Sequence, residues 1–147
     1  MSGLFGVVSK DHCRELLLFG TDYHSHLGTQ FGGVAILGDN FKRQIHNISQ
    51  SQFKSKFYED IFKMNGTMGI GVISALDEQP IYLNSKFGAF CLVTDGFIDN
   101  ARELADKLLQ EGVTFSETGD GPVNLTELAA KLITTGDNLI DGIEKMF

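Results

Sequence analysis

An α+β fold, with antiparallel sheets packed by helices, is predicted by three observations on this chain. Apolar runs of strand length come in clusters with mostly hairpin-length links, which favours antiparallel pairing over a doubly wound parallel sheet. Seventeen glycines against two prolines supply many tight turns between short elements. Two later segments carry helix-start signatures ahead of amphipathic faces. The 147 residues suffice for one domain with a core, and 42% apolar residues is a globular composition.

Taken in order, residues 4–8 form a first apolar strand, and residues 11–19 a short helix stopped by Gly20. Residues 33–37 are a second strand. Gly38-Asp39-Asn40 then supplies turn chemistry and residues 43–48 partly alternate, so the two pair as a hairpin. Residues 52–64 place Phe53, Phe57, Ile61 and Phe62 on one side of a helix. Residues 69–74 and 88–94 are apolar runs expected to be buried on both faces. Gln79-Pro80 precedes a short strand over 81–84. Asn100 with Glu103, and Asn124 with Glu127, resemble capping boxes. Ala101, Leu104, Ala105 and Leu108 line the first helix, and Leu125, Leu128, Ala129 and Leu132 the second. Asp137 is the expected cap of a last helix with Leu139, Ile140, Ile143 and Phe147 as its apolar positions. That unfinished apolar face predicts the N-terminal part of a longer protein.

Composition narrows the partners. The net charge of −7, without a Lys/Arg cluster, argues against nucleic acid. No apolar run has the length of a membrane span, and the N-terminus lacks a secretory layout. Cys13 and Cys91 lie far apart among apolar neighbours, as buried residues of a reducing compartment do, so a cytoplasmic location is expected. Phe31, Phe41, Phe53, Phe57, Phe62, Phe87 and Phe90 are expected in the core. His24 and His26 near Asp22 would share a face of a strand, but two histidines without a firm third ligand do not make a metal site. Gly119-Asp120-Gly121-Pro122 has turn chemistry and lacks the Lys-Ser/Thr of a phosphate loop. Neither a metal nor a cofactor is expected.

The chemistry-bearing feature is the start, Met1-Ser2-Gly3-Leu4-Phe5-Gly6. Removal of Met1 would leave Ser2 N-terminal. Its α-amine, titrating near neutrality, would then take the proton from its own hydroxyl, as in an N-terminal nucleophile hydrolase.

Six segments, in order, resemble the class II glutamine amidotransferase domain found at the N-terminus of amidophosphoribosyltransferases. The family's Met-Cys-Gly-Ile-x-Gly stands here as Met1-Ser2-Gly3-Leu4-Phe5-Gly6. Its His-Arg-Gly-Gln stretch is similar to His26-Leu27-Gly28-Thr29 running on to Gly33. Its Ile-Gly-His-Thr-Arg-Tyr strand corresponds to Ile70-Gly71-Val72-Ile73-Ser74-Ala75, and its Gln-Pro to Gln79-Pro80. Its His-Asn-Gly with a following Asn corresponds to Thr94-Asp95-Gly96 with Asn100, and its Ser-Asp-Thr-Glu to Asn124-Leu125-Thr126-Glu127. The resemblance implies a four-layer αββα sandwich of two antiparallel sheets between helices, truncated at its C-terminal side. It implies one amidotransferase type 2-like domain over residues 1–147, in a chain that continues into a phosphoribosyltransferase-like half.

The resemblance also assigns roles. Ser2 holds the place of the cysteine nucleophile. Ser74 replaces the arginine that clamps the glutamine α-carboxylate, at a cost of roughly 1.5–3 kcal/mol of substrate binding. Asp95 replaces the asparagine that donates to the tetrahedral oxyanion, leaving the backbone N–H of Gly96. Leu125 replaces the carboxylate that holds the α-amine. His26 and Gly28 belong to the loop beside the glutamine pocket.

Four departures against one chemistry predict a domain without glutaminase activity. It would be kept as a structural or regulatory partner of the phosphoribosyltransferase half in purine biosynthesis. Two other readings stand beside it. One is a working Ser2-dependent amidohydrolase with a substrate other than glutamine. The other is a small-molecule binding module whose ligand is glutamine or an analogue. A homo-oligomer is compatible with each.

Overall fold

The computed structural model describes residues 2–27, 30–119 and 121–147. In chain order the elements are β1 (Gly3–Val8), α1 (Arg14–Asp22), β2 (Phe31–Leu37), β3 (Phe41–Asn47), α2 (Phe53–Ile61) and β4 (Met68–Ser74). There follow β5 (Ile81–Ser85), β6 (Gly88–Leu92), α3 (Ala101–Gln110), α4 (Leu125–Ile133) and α5 (Leu139–Met146). A four-stranded antiparallel sheet has the order β1-β4-β2-β3, and β5 pairs with β6 in a second. Helices α1 and α2 cover one face of the first sheet, and α4 lies against β5. The layers run helix, sheet, sheet, helix, as the α+β sandwich requires.

Period-two alternation decides which side chains meet which layer. Val34, Ile36 and Ile73 point to the α1–α2 side, where Leu17, Leu18, Phe53, Phe57 and Ile61 complete the main core. Phe53 and Phe57 stack there, ring centroids 4.3 Å apart. A second cluster joins α3 and α4 through Ala105, Leu108, Val123 and Leu128. Gly33 faces the other way, and a Cβ there would overlap the carbonyl oxygen of Gln79. The glycine thus lets the Gln79-Pro80 segment close directly onto β2.

Several expectations change. Helix α1 runs through Gly20 to Asp22, because Gly20 admits the Phe5 ring at a point where a Cβ would overlap it. The glycine serves packing there and does not stop the helix. Asn100 makes no side-chain cap, since it lies outside extended geometry at φ −99° and ψ 28°. The cap of α5 is Asn138, which accepts from the N–H groups of Ile140 and Asp141, while Asp137 donates its own N–H to Asp141. Residues 24–27 are a turn and a 3-10 helix, so His24 and His26 do not share a strand face. Of the seven phenylalanines expected in the core, Phe53 and Phe57 are buried. Phe62, at the C-cap of α2, is 38% exposed and sits under the Arg14 guanidinium. Strand β6 is half-exposed and not buried on both faces, because the second sheet consists of two strands among the described residues. Cys13 is buried and Cys91 partly so, and burial pushes the Cys91 thiol up to about 11 against the opposing pull of Arg43. Gly28 and Asp120 lie outside the described residues.

Gly33→Ala is expected to lower stability by about 1–3 kcal/mol, because backbone and not a flexible side chain occupies the space. The shift of the urea midpoint measures it, and an unchanged midpoint would contradict the sheet contact described.

Candidate functional site

Register brings Ser2 to Ser74. Strands β1 and β4 pair Gly3 with Ile73 and Leu4 with Val72, so the step before Gly3 runs toward Ser74. The segment after β4 turns sharply under Ser74. The Ser74 hydroxyl accepts from the backbone N–H of Asp77 and from Nε2 of Gln79, both at 3.2 Å. Gln79 then treats Thr94 as a neighbouring strand would. Its Oε1 accepts from the Thr94 N–H at 2.8 Å and its Nε2 donates to the Thr94 carbonyl at 3.0 Å. The Thr94 hydroxyl meets that of Thr126 at 2.7 Å. This chain of bonds carries the Thr94-Asp95-Gly96 turn to the mouth of the site.

The start of α4 is fixed from three sides. Asn124 is fully buried. Its Oδ1 accepts from the Glu127 N–H at 3.0 Å, and its Nδ2 donates to the carbonyls of Glu78 and Thr118, each at 2.8 Å. Asp77 accepts from the Leu125 N–H at 2.8 Å, placing negative charge where the helix dipole favours it. Glu127 does not reach back to its cap, as a capping box would have it. Its carboxylate accepts instead from the N–H groups of Ser116 and Glu117, which folds the preceding loop onto the helix. Arg43 ties that loop to the sheet by bonding both Glu117 and the Pro80 carbonyl at 3.0 Å.

These segments enclose a cavity of about 310 Å³. Its wall is made by Ser2, the Ser74–Gln79 segment, the Thr94–Phe97 turn and Leu125. A second cavity of about 530 Å³ shares residues 94–97 and Leu125 and continues past Leu4 and Ala129 to Phe147. Among the described residues no Lys, Arg or His is on the wall of either. Ser74 is buried and committed to Asp77 and Gln79, and Asp95 and Gly96 are exposed at the turn, with Gly96 at φ +147°.

A sequence profile of the glutamine amidotransferase domain matches residues 67–147. The chain belongs to the glutamine amidotransferase domain family. Among curated relatives, a glutamine--fructose-6-phosphate aminotransferase [isomerizing] of Staphylococcus epidermidis is 32% identical over 143 residues, which are 90% of this chain and 22% of that protein. Its counterpart in Staphylococcus aureus strain Mu50 is 30% identical over 144 residues, with the same coverage of 90% and 22%. The glutamine phosphoribosylpyrophosphate amidotransferase of B. subtilis, solved with ADP and GMP, superposes with a TM-score of 0.81 at 20% identity, covering 99% of this chain and 32% of that one. A structure described as the allosteric regulatory enzyme of purine biosynthesis gives 0.81 at 21% identity, with the same coverage of 99% and 32%. These likenesses show the fold. The chain spans about a fifth of the curated relatives' length and about a third of the solved chains'.

In this amidotransferase domain the structure brings together Ser2, Ser74, Asp95, Gly96 and Leu125 on one cavity wall. It does not bring His26 there. That ring is exposed and bonds through Nδ1 to the Tyr23 carbonyl at 2.8 Å. Gly28 is outside the described residues, as is Met1. Sequence reasoning missed Asp77 and Thr126, both buried beside the site. The signal for Asp77 was an Asp77-Glu78 acidic pair between an apolar strand and an X-Pro turn, which spacing alone does not interpret.

Asn100 and Asn124 look alike in sequence and differ in structure, which makes them a matched pair. Asn124→Ala is expected to cost about 2–4 kcal/mol, from a lost cap and two carbonyls left without their donor. Asn100→Ala should stay within about 0.5 kcal/mol of the parent. Chemical denaturation of both variants measures the difference, and equal losses would contradict the network.

Proposed function

We propose that this domain is a glutamine amidotransferase scaffold that does not hydrolyse glutamine. It would serve a structural or regulatory role beside the acceptor-handling half of a longer chain, of which residues 1–147 are one domain. The observation that carries the reading is the cavity wall. A free α-amino acid presents a carboxylate and an ammonium. The wall offers no cation for the first and puts Leu125 at the position that resembles the family's amine-binding carboxylate. A carboxylate at Asp95 would repel a developing oxyanion, whereas preorganised donors are worth about 3–4 kcal/mol to such a step.

We assign the acceptor half to the class that works on phosphorylated sugars. The names of the relatives support this, one being a fructose-6-phosphate aminotransferase and another a phosphoribosylpyrophosphate amidotransferase. Within that class, the resemblance of the motifs favours a phosphoribosyltransferase-like half and purine biosynthesis, in the reducing cytoplasm. A second reading has one observation in its favour. Ser2 itself lines the cavity, so an N-terminal Ser2 would be in place to attack an amide other than glutamine.

The test restores the family's groups in the longest available chain: Ser2→Cys, Ser74→Arg, Asp95→Asn and Leu125→Asp together. Glutamate release from glutamine should rise at least about tenfold over the unaltered chain, since each restored group is worth a decade or more in principle. Should Ser74→Arg prevent folding, the triple variant that keeps Ser74 carries the test, because it restores nucleophile, oxyanion donor and amine partner. A folded variant with no gain would overturn the assignment of these positions.

A further inference from the structure

The outer face of the α1–α2 layer carries an aromatic surface that the core does not use. Leu16 and Phe19 on α1, with Tyr23 at its C-cap, stand at i, i+3 and i+7 along one side, and Tyr58 and Phe62 stand at i and i+4 along α2. All five are exposed, Leu16 at 57%, Phe19 at 54%, Tyr23 at 76%, Tyr58 at 52% and Phe62 at 38%. Contacts at both ends join the two stripes into one patch. Lys54, at the start of α2, holds its ammonium 4.8 Å from the centroid of the Phe19 ring, and its backbone N–H donates to Asp22 at the end of α1. At the other end the Arg14 guanidinium lies 5.1 Å from the centroid of the Phe62 ring. The rings of Tyr58 and Phe62 are 5.0 Å apart. This layer packs on β1, β3 and β4, on the opposite side of the sandwich from α4 and α5.

Area and charge select what would cover it. An aromatic side chain has about 150–250 Å² to bury, so at these exposures the four rings leave about 450 Å² open on one copy. Two such patches face to face would bury about 900 Å² of ring, and Leu16 with the stems of Lys54 and Lys56 brings the total to the roughly 1,000 Å² that a specific interface needs. Charge is divided unevenly along the chain. Residues 1–64 hold seven Lys/Arg and six Asp/Glu, a net of +1, and residues 65–147 hold five and thirteen, a net of −8. Strand β4 has no charged residue, so the −8 belongs to the second sheet, α3, α4, α5 and their loops. Two copies that meet through α1 and α2 hold these acidic parts at the far ends of the pair, well beyond a Debye length of about 8 Å. The meeting face itself carries both signs, with Glu15 and Glu59 exposed on the same two helices as Lys54 and Lys56. A twofold arrangement sets each carboxylate toward an ammonium of the other copy, whereas a partner of one sign would leave half of these charges unmatched.

We propose that the α1–α2 face is an isologous interface with a second copy of this chain, with Phe19, Tyr23, Tyr58 and Phe62 at its centre. None of these residues lines the cavity beside Ser2, so the pairing is independent of what that cavity holds.

The test combines sedimentation of the longest available chain with isotope-mixed cross-linking. Chains grown in light and in heavy nitrogen are mixed, equilibrated and treated with a lysine-specific cross-linker. Mixed-isotope peptides are expected to join Lys54 or Lys56 of one copy to Lys54, Lys56 or Lys63 of the other. Phe19→Asp together with Tyr58→Asp should weaken the pair at least about tenfold and remove these cross-links, since both rings sit at the centre. Both positions are exposed, and circular dichroism checks that the fold is kept. Should the double variant not fold, Tyr23→Asp, beyond the last turn of α1, carries the same comparison. The proposal is overturned if the unaltered chain sediments as a single copy through the micromolar range, if mixed-isotope cross-links avoid these lysines, or if a folded variant cross-links as the parent does. Another protein, or a following part of the chain, seated on this face would give one of the first two results.

Discussion

The side chain of Asn124 is the joint on which the site depends. One amide accepts from the start of α4 and donates to two carbonyls, one in the segment after β4 and one in the loop before α4. No other side-chain type of that size offers an acceptor and two donors in that arrangement. Around it, Glu127 gathers the Ser116–Glu117 backbone, Asp77 takes the Leu125 N–H, and Gln79 pairs with Thr94. Each group is buried or nearly so, and each finds its partner, which is the condition under which a buried polar network stabilises a single geometry. The cavity is therefore a built feature of the fold and not a gap left between layers.

The network separates scaffold from chemistry. Gln79, Asn124 and Glu127 hold the walls and have no duty toward a ligand's reacting atoms. Ser74, Asp95 and Leu125 line the cavity, and of these side chains only the Ser74 hydroxyl is drawn into the network, by Asp77 and Gln79. Such a division lets the cavity-lining positions change while the fold persists. It explains how a chain at 20% identity superposes with a TM-score of 0.81 on a solved relative while, among the described residues, no Lys, Arg or His lines its wall.

Much of the fold was legible because its signals are local. The strand pattern of residues 69–74 and the hairpin at Gly38-Asp39-Asn40 follow from alternation and turn chemistry, and both are present. The start of α4 at Asn124 was legible for the same reason. The failures are tertiary. Gly20 has the composition of a helix stop, but the Phe5 ring needs its bare Cα. Asn100 has the spacing of a cap without the backbone geometry, and Asp137 yields to its neighbour Asn138. At the site, motif order gathered Ser2, Ser74, Asp95, Gly96 and Leu125 onto one wall. The partners that hold that wall, Asp77 and Thr126, make contacts 48 and 32 residues away in sequence, beyond what local pattern can express.

The central claim is that the walls of a glutaminase are kept while its chemistry is gone. The most direct measurement is glutamate release from glutamine by the longest available form of the protein, with Ser2→Ala as the control. The account predicts the same background rate in both. Release that disappears in the Ser2→Ala control would make Ser2 a working N-terminal nucleophile and would contradict the account.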